Sequence, residues 1–397
     1  MKRVLVTGAS ITGPAVAWWL ARYGMQVTVV ERSQGVRDGG QTVDIRGASK
    51  GVVQRMQLEE AIRARTTHEK AIAFVDDANA VRAQFDAAAF DGEGPVAALE
   101  ILRGELAKVL VEASTDKVDY VYGDQVTEVH DGEDALRVRF QSGKTAEFDL
   151  MIVAEGIGSA TRQLVWGAEV TRRPFNLYTA YFTIPCGRGD GDVARWFNAP
   201  GGRGVFIRPD NLGTTRAVLN LISEPNGLES KSSDEQKRVM HAKFGDLGWE
   251  VPRVLEGMAL SDDFYLEAVG QVRMPRWSKG RVAIVGDAAY CASPLSGMGT
   301  ALALVGAYVL AGELATRPTH QDAFAAYERI VRPYVEKAQN LPSFIARIGQ
   351  PQTRLGIALQ RVVLAIGSHP KLDWLTGKLF SPPADNITLP DYRPATT

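Results

Sequence analysis

The sequence predicts an α/β fold: a Rossmann-like nucleotide-binding domain assembled from separated stretches of chain, an inserted, mainly antiparallel β-sheet domain, and C-terminal helices. Three observations predict it. A βαβ pattern with a glycine-containing turn opens the chain. Residues 176–222 change to short strands separated by Gly, Pro and Asn turns. Near residue 281 the chain returns to a buried strand that leads into an apolar helix.

The elements follow in order. Val4–Val6 is a β-branched-rich run, Pro14–Tyr23 a helix, and Gln26–Val30 a strand closing on Glu31. Helical patterns are expected at Lys50–Ala64 and Arg103–Ser114, with an irregular Asp/Ala/Gly stretch, Asp76–Pro95, between them. Val118–His130, Ala135–Gln141 and Ala146–Val153 read as consecutive strands. The turns Asp131-Gly132 and Ser142-Gly143 join them as hairpins. The inserted sheet is expected from Tyr178–Ile184, Asp192–Phe197, Gly204–Arg208 and Thr215–Leu221, followed by a polar helix at Ser232–Phe244. Phe264–Val272 and Arg281–Val285 are strands; helices follow from Gly299 to Leu314, at Gln321–Gln339 and at Leu355–Ala365. The resulting division gives residues 1–75, 98–175 and 265–340 to the nucleotide-binding domain. It gives 76–97 and 176–264 to the inserted domain, and 341–397 to a C-terminal helical segment and tail.

Composition narrows the function. With 397 residues a large core is available, and 45 Lys+Arg balance 46 Asp+Glu, so no electrostatic footprint for nucleic acid exists. Two cysteines, Cys186 and Cys291, are too few for a disulfide framework or a metal cluster and fit a cytoplasmic setting. The apolar N-terminus is interrupted by Gly8, Ser10, Thr12, Gly13 and Pro14, unlike a secretory leader. Thr300–Leu314 is short for a membrane span and reads as a core helix, so no membrane partner is expected.

Three turns carry chemistry. In Gly8-Ala9-Ser10-Ile11-Thr12-Gly13 the glycines let backbone approach a diphosphate, whose charge rests on the N–H groups opening the next helix. Glu31 at the second strand's end suits an unphosphorylated ribose, and Arg32 beside it suits the adenine. The opening Thr7-Gly8-Ala9-Ser10 also suggests a short-chain dehydrogenase, but none of the tyrosines has the Lys four residues on that this chemistry needs. The second turn, Ala154-Glu155-Gly156, and the third, Gly286-Asp287, each end a buried strand with an acid beside a glycine, suited to the hydroxyls of a sugar-like chain. Pro294 and Gly297-Met298-Gly299 then feed a helix N-terminus, whose positive end suits negative charge developing on a reduced flavin.

In this order the three turns resemble the class A flavoprotein monooxygenases, the group containing para-hydroxybenzoate hydroxylase, over roughly residues 1–340. Gly39–Arg46 and Ile101-Leu102-Arg103 look more like its tetracycline-inactivating and polyketide-modifying branch. The resemblance implies FAD as cofactor, with Arg103 near ribitol and pyrophosphate, Asp287 on the ribityl chain, and Pro294 with Gly297–Gly299 facing the isoalloxazine. It also implies that NAD(P)H docks transiently to reduce FAD, and that O2 then gives a C4a-hydroperoxyflavin able to hydroxylate a bulky aromatic or polyketide-type substrate. Such chemistry needs no catalytic side chain and no metal. The chain departs from the family pattern at Ser10, at Glu155 (usually Asp, which bears on coenzyme handling) and at Tyr290 (often His).

The substrate is expected between the inserted sheet and the flavin, lined by Tyr181, Trp196, Phe206, Arg208, Phe264 and Tyr290, with Asp44 and Arg46 reaching cofactor or substrate. Two alternatives stay open: Baeyer–Villiger oxygenation on the same scaffold, and a non-catalytic flavoprotein that sequesters such a ligand. A flavin-dependent halogenase is set aside because its Gly-Trp-x-Trp-x-Ile-Pro segment is absent.

Overall fold

A computed structural model describes residues 1–37, 39–87, 97–368 and 387–392. The end of the expected irregular stretch (88–95) and much of the expected C-terminal tail (369–386 and 393–397) lie outside these residues.

The N-terminal βαβ unit comprises strand Arg3–Thr7, helix Thr12–Arg22 and strand Gln26–Glu31. It forms the middle of a six-stranded sheet ordered Ser278–Lys279, Val282–Ile284, Leu150–Val153, Arg3–Thr7, Gln26–Glu31 and Val118–Tyr122. All pairs are parallel except the first. Its central strands are buried on both faces, hence the continuous apolar runs Val4-Leu5-Val6 and Leu150-Met151-Ile152-Val153. Helix Gly299–Thr316 is buried on nearly every side, which accounts for its apolarity all round. Among the described residues it is the one helix long and apolar enough to cross a membrane, and it packs here against helices Thr12–Arg22, Ala48–Met56 and His320–Gln339.

The second large sheet has seven strands, ordered Tyr265–Arg273, Thr171–Pro185, Thr214–Ile222, Arg203–Pro209, Val193–Ala199, Ala71–Val75 and Val81–Asp86. Only the pair Val193–Ala199 and Ala71–Val75 is parallel. One face packs on helices Ser233–Phe244 and Val251–Leu260 around Phe182, Ile184, Leu219, Met240 and Phe244. The other carries a separate apolar cluster of Ala194, Phe206 and Val218, with Ile72, Tyr181 and Trp196 at its margin.

The sequence expectations differ from the fold in several places. The strand expected at 118–130 is two, Val118–Tyr122 in the parallel sheet and Val126–Asp131 in a three-stranded antiparallel one, and Val81–Asp86 is a strand within the stretch expected to be irregular. The helix expected at 50–64 is two, Ala48–Met56 and Glu59–Arg63, because Gln57 adopts a left-handed conformation (φ 60°) between them. The strand expected at 146–153 is divided between sheets. Thr145–Phe148 joins a three-stranded antiparallel sheet, and Leu150–Val153 the parallel one; between them Asp149 accepts the Arg3 N–H. Helix Val251–Leu260, opened by Pro252 in its first turn, has no counterpart in the sequence expectations. Strands Ala71–Val75 and Tyr265–Arg273 belong to the seven-stranded sheet, so that sheet takes in residues assigned from sequence to the nucleotide-binding domain.

Candidate flavin and substrate site

Parallel pairing brings the three turns together. Thr7, Val153 and Ile284 stand level across adjacent strands, so Gly8, Ala154 and Gly286 leave the sheet at one edge, where open α/β sheets bind ligands. The glycines there are required by packing. Gly8 has φ +97°, and a Cβ on it would lie 2.8 Å from the Ala154 carbonyl oxygen. A Cβ on Gly13 would lie 1.8 Å from the Gly8 carbonyl oxygen, and one on Gly286 2.5 Å from the Thr12 hydroxyl. The turns are thus packed on one another. Above Gly156 and Gly299 a Cβ would meet nothing within 4 Å, so their exposed sides face open space.

An open cleft runs over this edge, lined by Gly8, Ala9, Ser10, Glu31, Arg32, Arg37, Arg103, Asp124 and Glu155 among others. Glu31 is oriented by two backbone donors: the Ala9 N–H reaches Oε2 and the Ser33 N–H reaches Oε1, each at 2.9 Å. Ile11 is buried at the helix entrance and Arg32 is exposed at the cleft rim. Glu155 accepts hydrogen bonds from Ser159 Oγ (2.7 Å), the Thr161 N–H (2.9 Å) and Thr161 Oγ1, and so holds the first turn of helix Ala160–Trp166. Its longer reach over aspartate is taken up by that helix. Arg162 is buried behind it, donating to the carbonyls of Ala288 (2.8 Å) and Ile157 (2.8 Å) and so tying the second turn to the third.

Arg103 opens helix Arg103–Glu112, exposed toward the cleft, with its backbone N–H on the Gln41 carbonyl (3.0 Å). Its charge acts on Asp287, whose carboxyl is nevertheless pushed up by burial. Pro294 starts a short 3-10 turn, Pro294–Ser296, and Gly297 closes it with φ +64°. Ser293 before it holds φ +80°, a strained setting for a residue with a side chain, and its hydroxyl accepts the Leu295 N–H. Met298 is fully buried by its side chain, so only its backbone borders the loop leading into helix Gly299–Thr316. Asp44 pairs with the buried Arg46 (2.9 Å), on a strand that meets Glu100–Leu102.

The substrate candidates divide by face. Tyr265, Tyr181, Val218, Phe206, Trp196 and Phe74 form one continuous row across six strands, each residue paired directly with the next. Trp196 stacks on Phe74 (5.7 Å between ring centroids) and tilts against Phe206 (5.1 Å). Tyr181, Trp196 and Phe206, three of the candidates, thus share one face of the sheet. Phe264 does not. It sits one residue out of phase, with its ring stacked on Phe182 in the helix-covered core. Tyr290 is also corrected: it is fully buried, with its ring on Trp277 and its hydroxyl 3.0 Å from Tyr327 Oη. Arg208 is fixed by two buried acids. It donates from Nε and Nη2 to Glu69 Oε2 (2.9 and 2.8 Å), from Nη2 to Glu100 and from Nη1 to Thr42. Burial, and the closeness of each acid's neighbours, push the Glu69 and Glu100 carboxyls up.

Sequence reasoning missed Glu267. It stands two residues from Tyr265 on the same strand face and accepts a hydrogen bond from Tyr181 Oη at 3.2 Å. The signal was an acid alternating with apolar residues in Tyr265-Leu266-Glu267-Ala268-Val269.

A parallel sheet with three interlocked turns, an acid held on two N–H groups and a cleft above open-sided glycines fits an FAD-type dinucleotide, which defines a flavoprotein. The chain belongs to the FAD binding domain family, whose model matches residues 1–340, and it is an FAD-dependent monooxygenase. It is 34% identical to FAD-dependent monooxygenase asL6 of Sarocladium schorii, with 98% of each chain covered. The crystal structure of tetracycline destructase Tet(55) matches 99% of both chains at 33% identity and a TM-score of 0.83. Klebsiella pneumoniae HpxO, solved with FAD and uric acid, shares the fold at 20% identity and a TM-score of 0.76, covering 96% of this chain and 97% of its own.

Proposed function

We propose that the enzyme hydroxylates a bulky aromatic or polyketide-type substrate, with tetracycline-like compounds within its range, and that NAD(P)H is the reductant and O2 the oxidant. The observation that carries this reading is the aromatic row from Tyr265 to Phe74. It offers a long, largely aromatic wall for a fused-ring substrate, and its Tyr265 end lies within reach of the charge of Arg103, a residue of the cleft. The resemblance to a tetracycline destructase supports the same substrate class.

Bound FAD supplies electron transfer and oxygen activation; the protein supplies position and a dry, charged setting. Gly8, Ser10 and Gly13 would hold the diphosphate at the opening of helix Thr12–Arg22, Glu31 the ribose, and Arg103 with Asp287 the chain between diphosphate and ring. Pro294, Gly297 and Gly299 would border the ring, with the N-terminus of helix Gly299–Thr316 favouring negative charge there. The apolar row excludes water from the reacting carbon and fixes which edge of the substrate approaches. A cytoplasmic setting is supported by the two cysteines, one exposed and one buried, that stay unpaired.

The test is a screen of FAD-loaded protein against tetracyclines, rifamycins and small phenols, reading substrate-stimulated NADPH and NADH oxidation and the mass of the product. Stimulated oxidation with one added oxygen supports the reading. Ligand binding with no nucleotide consumption in any case defeats it, and a ring-expanded lactone would replace hydroxylation by Baeyer–Villiger oxygenation.

A further inference from the structure

Glu267 is a carboxyl that neither cofactor binding nor the apolar wall accounts for. It lies on strand Tyr265–Arg273, on the face that carries Tyr265 and Tyr181, at the end of the aromatic row next to the cofactor turns. Helix Asp287–Tyr290, which carries the ribityl-side acid, packs against this strand. Tyr181 Oη donates to Glu267 Oε1 at 3.2 Å, and Tyr265 stands two residues away on the same strand face. The charged and titratable groups around it are Asp287, Cys291 and Arg103, besides the two tyrosines. A structural acid would have a cation fixed on it, as Glu69 has in Arg208. Glu267 instead has one phenol donor, Tyr181 Oη, and remains partly exposed. Burial, reinforced by Asp287 and opposed by Tyr181 and Arg103, pushes its carboxyl up to about 7. It therefore exchanges a proton near neutrality, which is what a base acting on a weakly acidic hydroxyl requires.

We propose that Glu267 is a catalytic base of this monooxygenase, taking the proton of an ionisable phenol or enol on the substrate, with Tyr181 and Tyr265 as positioning residues. This rests on the aromatic-substrate reading above. The substrate O–H bond breaks, its electron pair stays on the substrate oxygen, and the proton joins a Glu267 carboxylate oxygen. The conjugated carbon becomes more nucleophilic and forms the new C–O bond to an oxygen atom drawn from O2, with NAD(P)H supplying the two electrons. The C–H proton of that carbon leaves to solvent as the ring regains conjugation, and Glu267 returns its proton to the product oxygen. The other atom of O2 leaves as water.

The test uses FAD-loaded wild type, Glu267→Gln and Tyr181→Phe, each first shown by its flavin spectrum to hold cofactor. Infrared difference spectra between acidic and alkaline buffer should show a protonated-carboxyl band titrating near neutrality in wild type and missing in Glu267→Gln. Bound emodin, a hydroxyanthraquinone that reddens on ionisation, should ionise in wild type and lose that shift in Glu267→Gln. With a substrate found in the screen, Glu267→Gln should lower kcat about 10²-fold, with KM changed far less, and should lose the limb of the pH profile near neutrality. Tyr181→Phe, which removes a donor to the carboxylate, should move that limb to higher pH. An unchanged infrared band, or an unchanged kcat and pH profile in Glu267→Gln, overturns the proposal while leaving the monooxygenase reading intact. Failure of wild type to bind emodin and to oxygenate any phenol or enol in the screen overturns both.

Discussion

Arg208 gives the most demanding test of the electrostatics around the site. Its guanidinium is, among the described residues, the one cation paired with both Glu69 and Glu100, whose side chains are 0% and 5% exposed. Arg208→Met keeps a similar apolar stem and leaves two buried carboxylates uncompensated. Removing one partner from a buried ion pair costs about 3–5 kcal/mol. At roughly 2.1 cal/mol/K per residue over this chain, the entropy of unfolding near the midpoint is roughly 0.8 kcal/mol/K, so Tm should fall by about 4–6 °C. The loss depends on pH, with a definite sign. Both carboxyls already lie above their ordinary value in the folded protein. Their stability contribution is therefore complete at low pH and is lost as pH rises through the folded value. Without Arg208 those values rise further, and each pH unit costs an uncompensated carboxylate about 1.4 kcal/mol until it takes up a proton. Between about pH 9.5 and about pH 7.5, the range through which Glu100, pushed up to about 8, ionises in wild type, the deficit should accordingly shrink by up to roughly 2 kcal/mol. Thermal melts of FAD-loaded wild type and variant at the two pH values measure this. Adding Glu69→Gln and Glu100→Gln to the variant should recover part of the loss by removing the stranded charges. A deficit equal at both pH values, or under about 1 °C at the higher one, refutes the reasoning.

Gly13→Ala forces a Cβ to within 1.8 Å of the Gly8 carbonyl oxygen, so the diphosphate turn must open. At about 1–3 kcal/mol of overpacking, FAD affinity should drop by one to two orders of magnitude, read as lost flavin absorbance in the purified protein; full flavin occupancy would count against that role. Trp196→Ala removes the largest ring of the aromatic row, stacked on Phe74 and tilted against Phe206. KM for an aromatic substrate should rise about tenfold, the effect of some 1.4 kcal/mol of lost contact, while flavin content is unchanged; an unaltered KM would move the substrate off this face. Tyr290→Phe deletes the hydroxyl 3.0 Å from Tyr327 and should cost about 0.5–1.5 kcal/mol of stability without altering KM; a raised KM would return Tyr290 to the substrate site.

The cofactor turns were legible because each is local. A strand, a glycine and an acid stand within a few residues of one another, and the parallel register then sets Thr7, Val153 and Ile284 level without further information. The substrate wall is different in kind. Its members at 74, 181, 196, 206, 218 and 265 meet only through strand order, so sequence supplies the aromatic residues but not the face on which each stands. Tyr181, Trp196 and Phe206 fall on one face, while Phe264 falls on the other, because two adjacent aromatics, Phe264 and Tyr265, leave the phase of that strand undecided in the sequence. Leu266 settles it, since its 4% exposure places it in the helix-covered core and sends Tyr265 and Glu267 to the opposite face. The acids were the least legible. Glu69, Glu100 and Glu267 all occupy strand ends or alternating positions that suit a solvent-facing carboxylate equally well. Their meaning comes from what the fold sets against them: Arg208 from another strand for the first two, and the Tyr181 hydroxyl for the third. Carboxyls that share one guanidinium tie three elements together and leave it no freedom to meet a ligand. One held by a single phenol, with a second acid nearby, keeps an oxygen free to exchange a proton, and that difference in partner separates the structural pair from the residue we propose as the base.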